Sequence, residues 1–149
     1  MAEVGFYHLT RSATAEALPQ LLARTLDAGK RALVLCPDAA SVAALDDALW
    51  AVREPAWLPH GTAKDGDADL QPIWLTETDG EAPNGATFLF LVDGAATAGL
   101  GRFERAFDLF DGMNETRLDS ARRRWRDAKA AGHAVTYWQQ GARGWEKKA

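Results

Sequence analysis

Two hydrophobic periods alternate along the first half of the chain, and together they predict its secondary structure. Val4–Leu9 and Arg31–Cys36 are short, mainly apolar runs of strand length. Each is followed by a segment whose apolar residues repeat at helical spacing, the first at Ala13–Ala28 and the second beginning at Pro37 and Asp38. A strand–helix–strand–helix order is typical of a parallel sheet with helical crossovers.

The second half continues with segments of the same two kinds. The predicted strands are Trp57–His60, Pro72–Thr76, Thr87–Val92, one that starts within Asp108–Asp111, and a closing strand at Ala134–Trp138. The predicted helices are Arg102–Phe107 and Met113–Ala131, and a tail containing Gly and Lys follows the last strand. At 149 residues the chain is long enough for one ordinary core. We therefore expect an α/β fold, a single three-layer domain over residues 1–149 with a mostly parallel central sheet flanked by helices.

Composition and the lengths of the apolar runs indicate the cellular compartment expected for such a domain. Cys36 is the only cysteine, which rules out a disulfide framework and makes a reducing cytoplasm the simplest compartment. The longest apolar run, Phe88–Val92, is far shorter than the roughly 20 residues of a membrane span. The first residues lack the basic start and apolar core of a signal peptide. We expect a cytoplasmic protein without membrane contact.

Charge is divided unevenly along the chain. The total is −4, but residues 1–100 carry 6 basic and 14 acidic side chains, whereas residues 101–149 carry 11 basic and 7 acidic. Most of the basic surplus lies in one predicted helix, at Arg117, Arg122, Arg123, Arg124, Arg126 and Lys129. Such a cluster acts within a Debye length of about 8–10 Å, whatever the total charge. An acidic body with a basic helix disfavours bulk DNA binding and favours an acidic partner.

Enzymatic motifs are incomplete. Asp93 and Gly94–Gly101 follow the most strand-like run and match the first half of a phosphate loop, but the Lys and Ser/Thr that should come next are absent. The histidines, at positions 8, 60 and 133, have no ligand-like spacing. We expect no catalytic residue, no metal and no cofactor. The alternative is a degenerate nucleotide-binding hydrolase that uses Asp93 and this loop, and magnesium-dependent ATP binding would support it.

The arginine-rich helix carries the sharpest candidate site. Leu118, Arg122, Trp125 and Lys129 follow helical spacing and form one stripe, which Arg126 adjoins. An aromatic ring beside two guanidinium groups could receive a ligand with an apolar end and a carboxylate. The same pattern equally fits a surface helix with a half-buried Trp125. A third possibility, direct binding of single-stranded DNA by this helix, predicts a steep salt dependence.

A second candidate is the segment Trp57, Leu58, Pro59 and His60, which places apolar side chains on a predicted sheet edge. If exposed, it would be an apolar patch that suits a stable protein partner. Burial of Trp57 and Leu58 in the core is the alternative. The other tryptophans considered, Trp74, Trp138 and Trp145, are expected in core or tail packing.

The order of these segments resembles the chi subunit family of bacterial DNA polymerase III holoenzyme over nearly the whole chain. The residues that carry the resemblance are Phe6-Tyr7, Gly29–Cys36, Asp46–Trp50, Leu58–His60, and Ala121–Arg126 leading to Ala131-Gly132. The resemblance implies a fold similar to nucleotide-binding α/β proteins without a phosphate loop. It also implies an accessory subunit of the clamp-loader assembly that polymerises nothing itself.

The resemblance further implies partners and positions. Members of this family bind the acidic C-terminal tail of single-stranded DNA-binding protein, which ends in Pro-Phe, and link it to the clamp loader through the psi subunit. Arg122, Trp125 and Arg126 match basic, aromatic and basic positions of the family's tail pocket, while Leu118 departs from an often basic position. The segment from Trp57 to His60 matches the psi-facing surface, which a helicase-like protein could also use. Contact with DNA is then expected to be mainly indirect.

Overall fold

The computed structural model describes residues 2–52 and 58–149. Its strands are β1 (Glu3–Leu9), β2 (Ala32–Leu35), β3 (His60–Gly61), β4 (Ile73–Thr76), β5 (Phe88–Val92), β6 (Arg105–Asp111), β7 (Ala134–Gly141) and β8 (Gly144–Lys147). Its α-helices are α1 (Thr14–Asp27), α2 (Ala39–Trp50) and α3 (Glu115–Ala130). None of the described helices is long and apolar enough to cross a membrane.

The strands form one eight-stranded sheet in the order β3-β4-β2-β5-β6-β1-β7-β8. Every neighbouring pair is parallel except β7 and β8, which form an antiparallel hairpin. The central strands β2 and β5 are buried along their whole length, which explains their continuous apolar sequence. The predicted α/β class with a mostly parallel sheet is confirmed.

The two faces of the sheet are covered by different helices, which gives three layers. In β1, Tyr7 and Leu9 point into the core under α1 and α2, whereas Val4 and Phe6 point into the core under α3. Successive residues of a strand point to opposite faces, so one apolar strand serves both cores. This division places α3 alone on one face, beside loops, and α1 and α2 together on the other.

Local polar residues fix where the helices begin. The Asp38 carboxylate accepts a hydrogen bond from the Ser41 N–H at 2.8 Å, and the Asn114 side chain accepts one from the Arg117 N–H at 3.0 Å. These contacts satisfy N–H groups that a helix start otherwise leaves unpaired. Gly132 follows α3 with φ of 88°, a backbone conformation that favours glycine and ends the helix.

Three sequence predictions require correction. Arg102–Phe107 is not a helix: a short 3-10 turn ends at Arg102 and β6 begins at Arg105, because Ala106 and Phe107 pair and pack between β5 and β1. The predicted strand at 57–60 is confined to His60–Gly61, and Trp57 lies outside the described residues. The C-terminal tail forms β8 against β7.

The loop at Gly94–Gly101 does not have the geometry of a phosphate loop. It leads through the 3-10 turn at Leu100–Arg102 into β6, so the α-helix that follows a phosphate loop in sequence is replaced here by a strand. Asp93 precedes it with φ of 54°, and its carboxylate accepts a hydrogen bond from the Ser41 hydroxyl at 2.6 Å. Among the described residues, no group of three or more His, Cys, Asp or Glu is placed to hold a metal ion.

Candidate functional site

Helix α3 lies close to the sheet because its inner face consists of small residues. Ala121 and Ala128, seven residues apart, are 2% and 3% exposed and belong to the core beneath the helix. Ala131, which follows the last residue of α3, is exposed. The longer side chains therefore lie on either side of these two alanines, at the two flanks of the helix. One flank runs along β1 and β7, and the other runs along β6 and the 94–101 loop.

The flank along β7 carries the predicted aromatic site. Trp125 is partly buried, and its ring meets Phe6 at a centroid distance of 5.5 Å and Tyr137 at 5.7 Å, both in edge-to-face geometry. Leu118, two helical turns earlier on the same stripe, packs against the same core. The ammonium of Lys129 lies 5.9 Å from the centre of the Trp125 ring. The structure thus brings Leu118, Trp125 and Lys129 together as the spacing predicted.

Arg122 supplies an exposed positive charge to the same flank. Its side chain is 61% exposed, and its closest acidic partner is Asp119 at 3.5 Å. The charge also reaches into the strands: it helps to lower the pKa of His8, which burial lowers more strongly, and it opposes the rise that burial causes in the pKa of Tyr137. Arg126 is exposed on the same helix, next to Trp125 in sequence.

Tyr137 and His8 complete the site, and the sequence analysis did not include them. The Tyr137 hydroxyl lies 2.7 Å from His8 Nδ1, and the two rings meet edge to face. They come from β7 and β1, which are adjacent only in the folded sheet. The one available signal was the place of Tyr137 in a predicted strand directly after the arginine-rich helix.

Two arginines of the cluster serve the fold instead. On the opposite flank of α3, Arg124 forms a bidentate ion pair with Asp108, at 2.6 and 3.0 Å, and its side chain is only 12% exposed. Arg117 donates a hydrogen bond to the Asp93 carbonyl. Arg122, Arg123, Arg126 and Lys129 remain exposed. The positive surface of α3 is therefore smaller than the sequence suggests, and it lies nearer to Trp125.

The second candidate segment is mostly turned inward. Leu58 and His60 are 3% and 6% exposed, and Pro59 is partly exposed. His60 is held by the Leu58 carbonyl at 2.7 Å and by the Asp46 carboxylate at 3.0 Å. Beside it, Trp50 is 58% exposed, with its ring centre 4.7 Å from that of His60. Among the described residues of this region, Trp50 is the exposed aromatic side chain. Its place on this surface was not predicted from the sequence.

These features together are those of a three-layer α/β protein with a mostly parallel sheet, in which helix α3 carries an aromatic cluster bordered by cations. The chain belongs to the chi subunit family of DNA polymerase III. The family model described as DNA polymerase III chi subunit, HolC, matches residues 1–136. Comparison with curated proteins gives no significant match. The family is that of an accessory subunit of the polymerase that acts in DNA replication, and the resemblance drawn from the sequence is confirmed.

Proposed function

We propose that this chain binds the acidic C-terminal tail of single-stranded DNA-binding protein and links it to the clamp-loader assembly. The observation that carries the proposal is the environment of Trp125, a partly buried indole between aromatic rings and exposed cations. Such a surface suits a peptide that ends in an apolar ring and a carboxylate. The proposal makes the chain a connecting subunit, without a catalytic role of its own.

The aromatic end of the tail is the anchor of the proposed complex. A phenylalanine ring placed against Trp125 would contact indole and phenol rings that Phe6 and His8 already hold in place. Aromatic anchors in partly closed sites account for most of the binding energy in many interfaces. Because both protein rings are held by packing, little side-chain entropy is lost when the tail binds.

The charges of the site orient the tail and speed its arrival. Its terminal carboxylate would pair with Arg122 or Arg126, and Lys129 would face its acidic residues. The contact between Arg122 Nη1 and Asp119 Oδ1 is exposed and long, at 3.5 Å, so a carboxylate that binds in bidentate fashion replaces it at small cost. Exposed ion pairs of this kind contribute about 0–1 kcal/mol each. The phenylalanine ring of the tail therefore supplies most of the affinity, and the ion pairs adjust it.

A second partner would use the surface at Trp50 and Pro59. Leu58 and His60 support this surface from within, and Trp57 belongs to the same proposed region by its match to the family. The partner is the psi subunit, or a helicase-like protein in its place. Trp50 supports this proposal because an exposed indole over a buried histidine is a ready anchor for a partner.

The experiment that tests the tail proposal compares two forms of purified single-stranded DNA-binding protein, one complete and one lacking its acidic Pro-Phe tail. We expect the complete form to bind immobilised chain and the shortened form to lose at least about tenfold in affinity, since an aromatic hot spot is worth about 2 kcal/mol or more. Excess free tail peptide should displace the complete form. Equal binding of both forms would overturn the proposal.

A further inference from the structure

A cavity of about 640 Å³ lies between α1 and the β7–β8 hairpin, on the face of the sheet opposite α3. Arg11, Arg24 and Arg143 line it. Arg11 precedes α1 and Arg24 lies within it, whereas Arg143 lies in the turn between β7 and β8, so only the fold brings Arg143 beside the other two. Because α3 and Trp125 lie on the other face, this cavity is separate from the proposed tail site.

The three arginines of this cavity are available to a ligand. All three are exposed, and none forms an ion pair within residues 2–52 and 58–149. Glu16 is the one acidic side chain among the lining residues. Arg124, by contrast, is committed to Asp108. A cavity with three guanidinium groups and one carboxylate attracts an anion, because guanidinium groups pair readily with phosphate or carboxylate oxygens.

Two indole rings border the same cavity. Trp138 stacks on Tyr7 with a centroid distance of 6.1 Å and an interplanar angle of 6°, and Trp145 meets Tyr7 edge to face at 5.0 Å. Both tryptophans are partly exposed. The Trp138 Nε1–H also donates to the Thr136 hydroxyl at 3.0 Å, which fixes the ring. Tyr7 therefore holds two aromatic surfaces in set positions beside the arginines.

The wall of the cavity is tied together by Gln140. Its side-chain carbonyl accepts hydrogen bonds from the N–H groups of Thr10, Arg11 and Ser12 at 3.1, 2.9 and 3.1 Å, and its amide donates to the Ser12 hydroxyl at 2.7 Å. This joins the loop that carries Arg11 to the strand that carries Trp138. The backbone donors of the loop are used by Gln140, so a bound anion would be held by the arginine side chains.

We propose that this cavity binds single-stranded nucleic acid, with phosphates on Arg11, Arg24 and Arg143 and a base on the tryptophan surface. Cationic side chains along a groove with aromatic platforms are the arrangement by which proteins hold single strands without sequence preference. Two indoles beside three arginines match a ligand in which several phosphates alternate with bases that can stack. The chain would then contact DNA directly on one face and the tail of its partner on the other.

The test is anisotropy of a labelled oligothymidylate titrated with the full chain, wild type and variant. Arg24→Ala and Arg143→Ala should each weaken binding about fivefold at 0.1 M salt and reduce the salt slope by about 0.7, the loss expected for one phosphate contact on a single strand. Arg123→Ala, which removes an exposed arginine from α3, is the matched control and should leave binding unchanged. Retained binding of an acidic Pro-Phe peptide shows that each variant is folded.

Photo-crosslinking gives a readout that does not depend on substitution. An oligonucleotide that carries 5-iododeoxyuridine should crosslink to Trp138 or Trp145. A crosslink at Trp125, equal weakening by Arg123→Ala and Arg24→Ala, or no binding at low salt would overturn the proposal. The proposal would also be overturned if Arg24→Ala and Arg143→Ala no longer bound the acidic peptide but still bound the oligonucleotide, because the cavity would then be a peptide site.

Discussion

The hydroxyl of Tyr137 lies 2.7 Å from Nδ1 of His8 and joins β7 to β1 beside the ring of Trp125. Burial raises the pKa of Tyr137 and lowers that of His8, so at neutral pH the phenol keeps its proton and donates a hydrogen bond to Nδ1 of a neutral imidazole. The backbone of Gly112 also hydrogen-bonds to the His8 ring and partly opposes the lowering of its pKa. The wall of the proposed tail site is thus built on a neutral histidine.

This relationship predicts a pH dependence of stability. The unfolded chain takes up a proton at His8 below about pH 6.5, whereas in the folded chain the lowered pKa of His8 opposes protonation. The stability that His8 contributes above about pH 6.5 is therefore lost as the pH falls through its lowered folded-state pKa. Denaturant unfolding at about pH 7 and about pH 5 measures the loss. In His8→Gln the loss should be smaller. An identical pH dependence in wild type and His8→Gln would contradict the assignment.

The buried pair between Arg124 and Asp108 predicts a large difference between neighbouring arginines. Arg124→Met leaves the Asp108 carboxylate, 2% exposed, without its partner, and should cost about 3–5 kcal/mol of unfolding free energy. Arg123→Met changes an exposed side chain and should cost less than about 0.5 kcal/mol. Urea unfolding followed by circular dichroism compares the two variants. Similar midpoints would show that the pair does not stabilise the fold.

Sequence reasoning found the elements whose signal is local and missed what depends on tertiary contacts. The apolar run Phe88–Val92 and the helix predicted over Met113–Ala131 could be found, because continuous apolarity and helical spacing are visible in sequence. Arg105–Asp111 was placed partly in a helix, since its strand character arises from pairing with β5 and β1.

The candidate site shows the same limit. Trp125 and Arg122 could be predicted from helical spacing, which fixes their common stripe. Arg124 could not be separated from them, because the carboxylate that removes it from the surface lies on β6. Tyr137 and His8 join the site through strand pairing, and no local pattern connects them.

Cys36 should be unreactive in the folded chain. Its side chain is buried, and burial raises the pKa of the thiol from 9.0 to about 12, which reduces the thiolate about a thousandfold at a given pH. A thiol reagent at mildly alkaline pH should therefore label native chain very slowly and denatured chain rapidly. Rapid labelling of the native chain would show that Cys36 is accessible.

Trp50 and His60 are predicted to differ in role although their rings touch. Trp50→Ala should change stability little, because the indole is 58% exposed, and should weaken binding of the psi subunit at least about tenfold if the indole is an anchor. His60→Ala leaves the Asp46 carboxylate and the Leu58 carbonyl without their partner and should cost about 1–3 kcal/mol of unfolding free energy.

The control for Trp50 is Met113→Ala, which removes another exposed apolar side chain, one that follows the C-terminal end of β6. Binding of the purified psi subunit can be followed by analytical gel filtration and calorimetry. Equal affinities of the Trp50→Ala and Met113→Ala variants would remove Trp50 from the proposed surface. A large stability loss in Trp50→Ala would show that its role is structural.

The central claim is that Trp125 and Arg122 receive the acidic tail, and calorimetric titration with an acidic peptide ending in Pro-Phe tests it most directly. Trp125→Ala and Arg122→Glu should each weaken binding at least about tenfold, the loss expected for an anchor ring and for a reversed charge beside it. Arg123→Ala should bind as the wild type does, and the wild-type affinity should fall as salt rises. Unchanged affinity in both Trp125→Ala and Arg122→Glu, in folded protein, would contradict the account.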